Sequence, residues 1–178
     1  MNAVAVTAEN VETALVARAA AGNRSAFGEL YNRYSRTIHG IALARVPYRD
    51  ANDLVQDVFL HAMGRLRELR NQEAFGPWLA AIARRRAVDY HRVNHRWVRL
   101  TNAVEPACSP VPAQALAVLD IVKTLPEAYR ETLILRFVEG MTGPEISART
   151  GLTPDSVRVN LFRGLKLLRE KLGDELAL

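Results

Sequence analysis

Three of the chain's eight prolines, Pro106, Pro110 and Pro112, fall within seven residues. A proline lacks the backbone N–H that helices and sheets need, and it drives the residue before it toward extended geometry. The surrounding stretch, Thr101-Asn-Ala-Val-Glu-Pro-Ala-Cys-Ser-Pro-Val-Pro112, has no helical periodicity and reads as a semi-rigid linker. It divides the 178 residues into pieces of about 98 and about 66, each the size of a small domain. The organisation read from this is two domains, residues 1–98 and 113–178, joined by 99–112.

Both pieces carry helical rather than strand spacing, so the expected class is all-α. Val11, Leu15, Val16 and Ala19 form a first apolar stripe that Gly22 ends. Phe27, Leu30, Tyr31, Tyr34, Ile38 and Ile41 form a second, closed by Pro47. Asp50 is placed to cap a third helix, with Asp53 in its first turn. Leu54, Val55, Val58, Phe59, Ala62, Met63 and Leu66 would be its inward face. After a polar stretch, Arg67–Glu73, a long helix is expected over about 74–97, with Trp78 directed to the core beside Phe75, Leu79 and Ile82. Beyond the linker, helices are expected near 113–124, 127–139, 144–150 and 154–172.

The single cysteine, Cys108, excludes an internal disulfide framework and a multi-cysteine zinc site. A lone linker thiol is read as passive rather than as a redox sensor. No apolar run approaches the ~18 residues of a membrane span, and no basic residue precedes Arg18 to start a secretory signal. A soluble, cytoplasmic protein without membrane insertion is expected. Catalytic Ser-His-Asp order, a phosphate-binding glycine loop and paired carboxylates are not found, so neither an enzyme nor a cofactor is expected. His91 and His95 lie four apart, a spacing that can chelate, but the flanking arginines would repel a cation.

The net charge is only +5, but it is concentrated. Arg84 to Arg99 reads RRRAVDYHRVNHRWVR, six arginines against one aspartate, with His91, His95, Tyr90 and Trp97 among them. Guanidinium groups at that density repel one another and suit a polyanion, which they grip through bidentate phosphate contacts and base stacking. Pro154 to Leu172 is the second basic segment, net +3, whereas Asp50 to Glu73 is acidic, net −2. Opposite charges on neighbouring helices point to two surfaces with different partners.

Near the C-terminus the grammar is that of a helix-turn-helix. Thr142-Gly-Pro-Glu145 is a capping box, Gly151 can take the left-handed stop conformation, and Thr153-Pro154 starts a second helix. Val157, Leu161, Leu165 and Leu168 would face inward, leaving Arg158, Asn160, Phe162 and Arg163 on the half that enters a major groove in such motifs.

Three ordered stretches then resemble the bacterial RNA polymerase sigma factors of the sigma-70 family, extracytoplasmic-function (ECF) type. Asp53-Leu-Val-Gln-Asp-Val-Phe-Leu60 resembles the family's D-L-V-Q-E-V-F-L core. Phe75-Gly-Pro-Trp-Leu-Ala-Ala-Ile-Ala-Arg-Arg-Arg-Ala-Val-Asp89 resembles F-x-x-W-L-x-x-I-A-R-N-x-A-x-D. Leu125-Pro-Glu-Ala-Tyr-Arg-Glu-Thr-Leu-Ile-Leu-Arg136, followed by Glu145-Ile-Ser, resembles L-P-x-x-x-R-x-x-x-x-L-R with E-I-A. The likeness covers about residues 12–172. It departs at Arg85 (usually Asn), Asp57 (usually Glu), Asn160 and Leu165 (often basic) and Gly143-Pro144 (usually Tyr-Glu), changes that bear on promoter choice.

The resemblance implies a minimal two-domain initiation subunit, with no third domain between residues 98 and 113. The first domain would bind the β′ clamp helices of core RNA polymerase through Asp53, Gln56 and Asp57. It would also open the −10 element of promoter DNA, through the Arg67–Ala74 loop and Arg84, Arg85, His91, Arg92, His95 and Arg96. The second would bind the β flap and read the −35 duplex through Arg158, Val159, Asn160, Phe162, Arg163 and Lys166. An anti-sigma factor is a further possible partner, as ECF proteins often have one. The competing readings are an autonomous helix-turn-helix regulator and a helical adaptor with an incidental basic face. The acidic Asp53–Asp57 helix discriminates, because a free-standing regulator has no use for it.

Overall fold

The computed structural model of the protein describes residues 8–98 and 113–176, with side chains for 11–92 and 117–173. His95, Arg96, the linker and Cys108 lie outside the described side chains. The described residues form helices and two 3₁₀ turns and no strand. The first domain holds α1 (Ala8–Ala20), α2 (Arg24–Leu43), α3 (Tyr48–Arg65) and α4 (Phe75–Val98). The second holds α5 (Ala113–Lys123), α6 (Glu127–Phe137), α7 (Gly143–Thr150) and α8 (Pro154–Leu176).

Local signals set most of the boundaries. Gly22 ends α1 at φ 96°, a conformation that suits glycine. The Asn23 side chain then accepts the Ala26 N–H at 2.9 Å and starts α2. Pro47, not Asp50, is the residue at the head of α3. Asp50 is already inside the first turn, where a carboxylate complements the helix dipole. Its Oδ2 accepts the Tyr90 hydroxyl at 2.6 Å, tying α3 to α4. The Arg67–Glu73 stretch is not featureless, since it folds as 3₁₀ turns at Leu66–Glu68 and Gln72–Ala74.

The first core packs Val16, Leu30, Ile38, Ile41, Val58, Phe75 and Leu79, all at 0% exposure. Tyr34 meets Phe75 edge-on at 5.1 Å, and Trp78 lies half-buried with its ring 5.9 Å from that of Phe75. Met63, expected to face inward, is 53% exposed, and Leu60 is 65% exposed. The inner row of α3 runs through Leu54, Val58 and Ala62 and continues to Leu66 of the following 3₁₀ turn, and positions 60 and 63 lie around the helix from it. The second core is smaller: Leu135, Met141, Ile146 and Val157.

The two domains pack together. The first apolar core continues through Ile134 of α6 to Leu119 and Val122 of α5. Helix α4 lies against α7, and α2 lies against α6.

Candidate nucleic-acid interface

The turn before α8 is built from the residues that define it in sequence. Thr142 Oγ1 accepts the Glu145 N–H, and Glu145 Oε2 accepts the Thr142 N–H at 2.7 Å, closing the capping box. The Thr142 hydroxyl also lies 2.7 Å from Glu145 Oε2, and the backbone N–H foremost, with this hydroxyl, holds the Glu145 carboxyl below its ordinary range. Gly151 stands at φ 77° and stops α7. Thr153 Oγ1 accepts the Ser156 N–H at 3.2 Å at the start of α8. Val157, 2% exposed, anchors the new helix in the second core.

With Val157 inward, Arg158, Val159, Phe162 and Arg163 line one continuous outer surface, and Lys166 is exposed beyond it. Phe162 is 73% exposed, a large apolar ring held in water. The Arg158 guanidinium reaches Asp155 at 3.1 Å, but both side chains are open to solvent, so the pair holds the arginine weakly. Asn160 departs from the expected reading face. It is half-buried, and its Nδ2 donates to Thr132 Oγ1 on α6 at 3.4 Å.

The arginines of α4 are placed otherwise. Arg84 crosses to the second domain, where its Nη2 and Nε reach Glu131 at 2.7 and 3.2 Å and its guanidinium also donates to the Thr150 carbonyl. Arg45, in the turn after α2, pairs with the same carboxylate at 2.5 Å. Burial alone would raise the Glu131 pKa, but the Arg84 hydrogen bonds and the Arg45 and Arg84 charges outweigh it, and the carboxyl sits below its usual range. Burial lowers the Arg84 pKa and Glu131 more than restores it, so the net direction is up. Arg86 grips Asp57 through two 2.6 Å hydrogen bonds, which raise the pKa of its guanidinium. Arg92 pairs with Asp89 at 3.3 Å. Arg85 is exposed, with no ion pair among the described residues. His91 Nε2 lies 2.7 Å from the Arg45 carbonyl oxygen. A carbonyl only accepts, so that nitrogen carries the proton in this contact. Among the described residues no group of three or more His, Cys, Asp or Glu is arranged to hold a metal. In the Arg67–Ala74 loop, Arg67 Nε donates to the Ala20 carbonyl at 3.2 Å, and Arg70 is exposed.

On the far side of α3, Asp53 and Gln56 are exposed and Asp57 is half-buried by its arginine. Beside them runs a shallow groove lined by Phe27, Tyr31, Gln56, Phe59, Leu60 and Met63. Sequence reasoning found the polar residues of this face and missed the apolar ones. The available signal was the position of Leu60 and Met63, seven and ten residues after Asp53, which puts all three on one side of the helix. Among the described residues no helix is long and apolar enough to cross a membrane.

Comparison with known proteins agrees with this division. Residues 30–97 match the family model for sigma-70 region 2, and residues 115–168 match that for sigma-70 region 4. The chain is 34% identical over 171 residues to the probable RNA polymerase sigma factor RfaY of Xanthomonas campestris, matching 86% of this chain and 42% of that protein. It is 31% identical to the ECF RNA polymerase sigma factor BldN of Streptomyces coelicolor, spanning 66% of it. To the RNA polymerase sigma factor CarQ of Myxococcus xanthus it is 31% identical, over 86% of this chain and 92% of CarQ. Among solved structures, CnrH in complex with the cytosolic domain of CnrY superposes with a TM-score of 0.65 at 27% identity, covering 92% of this chain and 97% of that one. The region 2 and region 4 matches on the two helical domains, with relatives of this kind aligned across the linker, make this chain a member of the sigma-70 family of RNA polymerase sigma factors, of the ECF type.

Proposed function

We propose that the protein is a cytoplasmic transcription initiation factor that binds core RNA polymerase and directs it to specific promoters. The observation that carries this reading is the pairing of two unlike exposed faces. The α8 face, with Arg158, Val159, Phe162 and Arg163, has the charge and shape to enter a DNA groove. The α3 face, with Asp53 and Gln56 beside Leu60 and Met63, would be repelled by phosphates and suits a protein partner. An autonomous regulator uses only the first. On this reading the α3 face meets the β′ clamp helices and the second domain meets the β flap. Arg85 and the remaining cations of α4 act on the −10 strands, and α8 reads the −35 duplex.

The RpoE protein of Bartonella quintana, whose fold is similar at a TM-score of 0.57 and 20% identity, has been solved with the anti-sigma factor NepR. A partner of that class is part of the proposal here.

The test is reconstitution. Core polymerase with this protein should give transcripts from discrete start sites, and Leu60→Glu should reduce core affinity at least 30-fold with helicity preserved, as expected for a charge placed in an interface core. Tight, salt-insensitive duplex binding without polymerase, and no start-site selection with it, would establish the autonomous regulator instead.

A further inference from the structure

Helices α3 and α4 are joined by two polar clasps. Asp50 takes the Tyr90 hydroxyl at 2.6 Å, and seven residues further along α3 Asp57 takes Arg86. The cleft over this seam is lined by four aspartates, Asp50, Asp53, Asp57 and Asp89, and by a single cation, Arg86. Three of the four acids are already engaged: Asp50 by Tyr90, Asp57 by Arg86 and Asp89 by Arg92 at 3.3 Å. Asp53 is exposed and has no ion pair or hydrogen bond among the described residues.

Asp53 and Asp57 lie one turn apart, yet they are placed for different tasks. Both oxygens of Asp57 are taken by one guanidinium, Oδ2 by Nε and Oδ1 by Nη2, each at 2.6 Å. This fork fixes the plane of the carboxylate as well as its position. An aspartate has one methylene, so it cannot keep both contacts and also swing out toward a partner protein. The Arg86 guanidinium is held by the same pair, and the Asp57 hydrogen bonds are the foremost cause of its raised pKa. Position 57 is also where this chain carries a shorter acid than the glutamate usual in its family.

Without Asp57, Arg86 must find another anion in the cleft. Asp89 is held by Arg92 and Asp50 by Tyr90, which leaves Asp53. Residues four apart on a helix have their Cβ atoms about 5–6 Å apart, a short swing for an arginine stem. A guanidinium drawn to Asp53 would neutralise the acid at the exposed edge of the α3 face, beside Gln56. The charge that draws a cationic partner surface to that face would then be lost.

Resting on the initiation reading above, we propose that Asp57 serves polymerase binding as a positioning residue and not as a contact: it holds Arg86 off Asp53, so that Asp53, with Gln56, Leu60 and Met63, meets the β′ clamp. Arg86 and Asp57 then act as one unit, and neither is needed for binding once both are gone. Asp53 is the acid of this cleft that the polymerase reads.

A double-mutant cycle on the affinity of the full chain for core polymerase tests this, with the helicity of each variant followed alongside. Asp57→Ala should weaken binding about tenfold at low salt and less at high salt, a dependence that a packing defect would not show. Asp57→Asn keeps the shape of the side chain and should weaken binding in the same direction, which keeps the test valid where the alanine disturbs folding. Arg86→Ala alone should leave affinity within about threefold of the parent, and adding Asp57→Ala to it should cost no more than about threefold again. Asp53→Ala should weaken binding about tenfold whether or not Arg86 is present. A tenfold loss from Asp57→Ala that persists in the Arg86→Ala background makes Asp57 a direct contact and overturns the proposal. Full affinity in both Asp57→Ala and Asp57→Asn overturns it too, because a released Arg86 would then not reach Asp53. Failure of the initiation reading would appear separately, as absence of core binding and start-site selection with the unaltered protein.

Discussion

On α4, Arg84, Arg86 and Arg92 each reach a carboxylate, Glu131, Asp57 and Asp89 respectively. On α8, Arg163 and Lys166 stand exposed, and Arg158 touches only Asp155, itself open to solvent. In sequence the first segment is the more basic, net +5 against +3. In three dimensions the second presents the freer cations. Charge density along a chain therefore identifies a region that some anion must satisfy, and only the fold says whether the protein has already supplied that anion. For α4 it has supplied part, from its own α3 and from the second domain.

The largest effect separating the two helices should come from Glu131→Ala. Removing one member of a buried pair leaves Arg84 without its anion and Arg45 with only the exposed Glu127, which costs about 3–5 kcal/mol. Chemical denaturation should show a loss of that order, whereas Arg158→Ala, which removes an exposed pair, should stay within about 0.5 kcal/mol. Equal losses would erase the contrast.

Acidification sharpens the same point. The groups around Glu131 are Arg45 from the turn after α2, Arg84 from α4 and Glu127 on its own helix. Its pKa is depressed in the folded protein, so its contribution is fully present above the ordinary glutamate value near 4.3 and is lost as pH falls through the lower value. Stability of the parent protein relative to Glu131→Gln, followed from neutral pH downward, should shrink only below that ordinary value. A difference already lost at pH 6 would assign the effect to another group.

On α8 the expected effect is on choice rather than stability. Arg158→Ala should relax base preference at one −35 position by about 1–3 kcal/mol, read from transcription of a library randomised at both elements. Arg85→Ala, the exposed member of the α4 triplet, should act on the −10 element alone. A uniform fall in output from Arg158→Ala would make that residue a phosphate contact.

The smallest effect should come from Thr142→Ala, which opens the capping box of α7 and should lower stability by about 1 kcal/mol while leaving base preference unchanged. A shift in preference would mean that the α7 start sets the pose of α8 on DNA.

The helices themselves were legible because their signals are local. The Thr142–Glu145 box, Gly151 and Thr153-Pro154 act within four residues of where they stand, and each sits in the structure where its chemistry places it. The prolines Pro106, Pro110 and Pro112 are an equally local signal, since each lacks the N–H that a continuous helix needs. Asp50 was misread as a cap because Pro47 can begin a helix without a side-chain acceptor. Met63 was misread as core because a helix stripe is broad, and nothing along the chain says where the neighbouring helix ends.

What the sequence alone determined is thus the helical class, the division into two units, the helix-turn-helix and the family. Tertiary packing set which way individual side chains face: Asn160 turned toward Thr132, Leu60 and Met63 turned outward, and Arg84 bound to Glu131 47 residues away. The physical reason is range. Capping, proline and glycine effects act over a few residues of backbone, whereas a buried ion pair is set by two surfaces meeting. Glu131, inside Arg130-Glu-Thr-Leu-Ile-Leu135, carries no local mark of the two arginines that another domain brings to it.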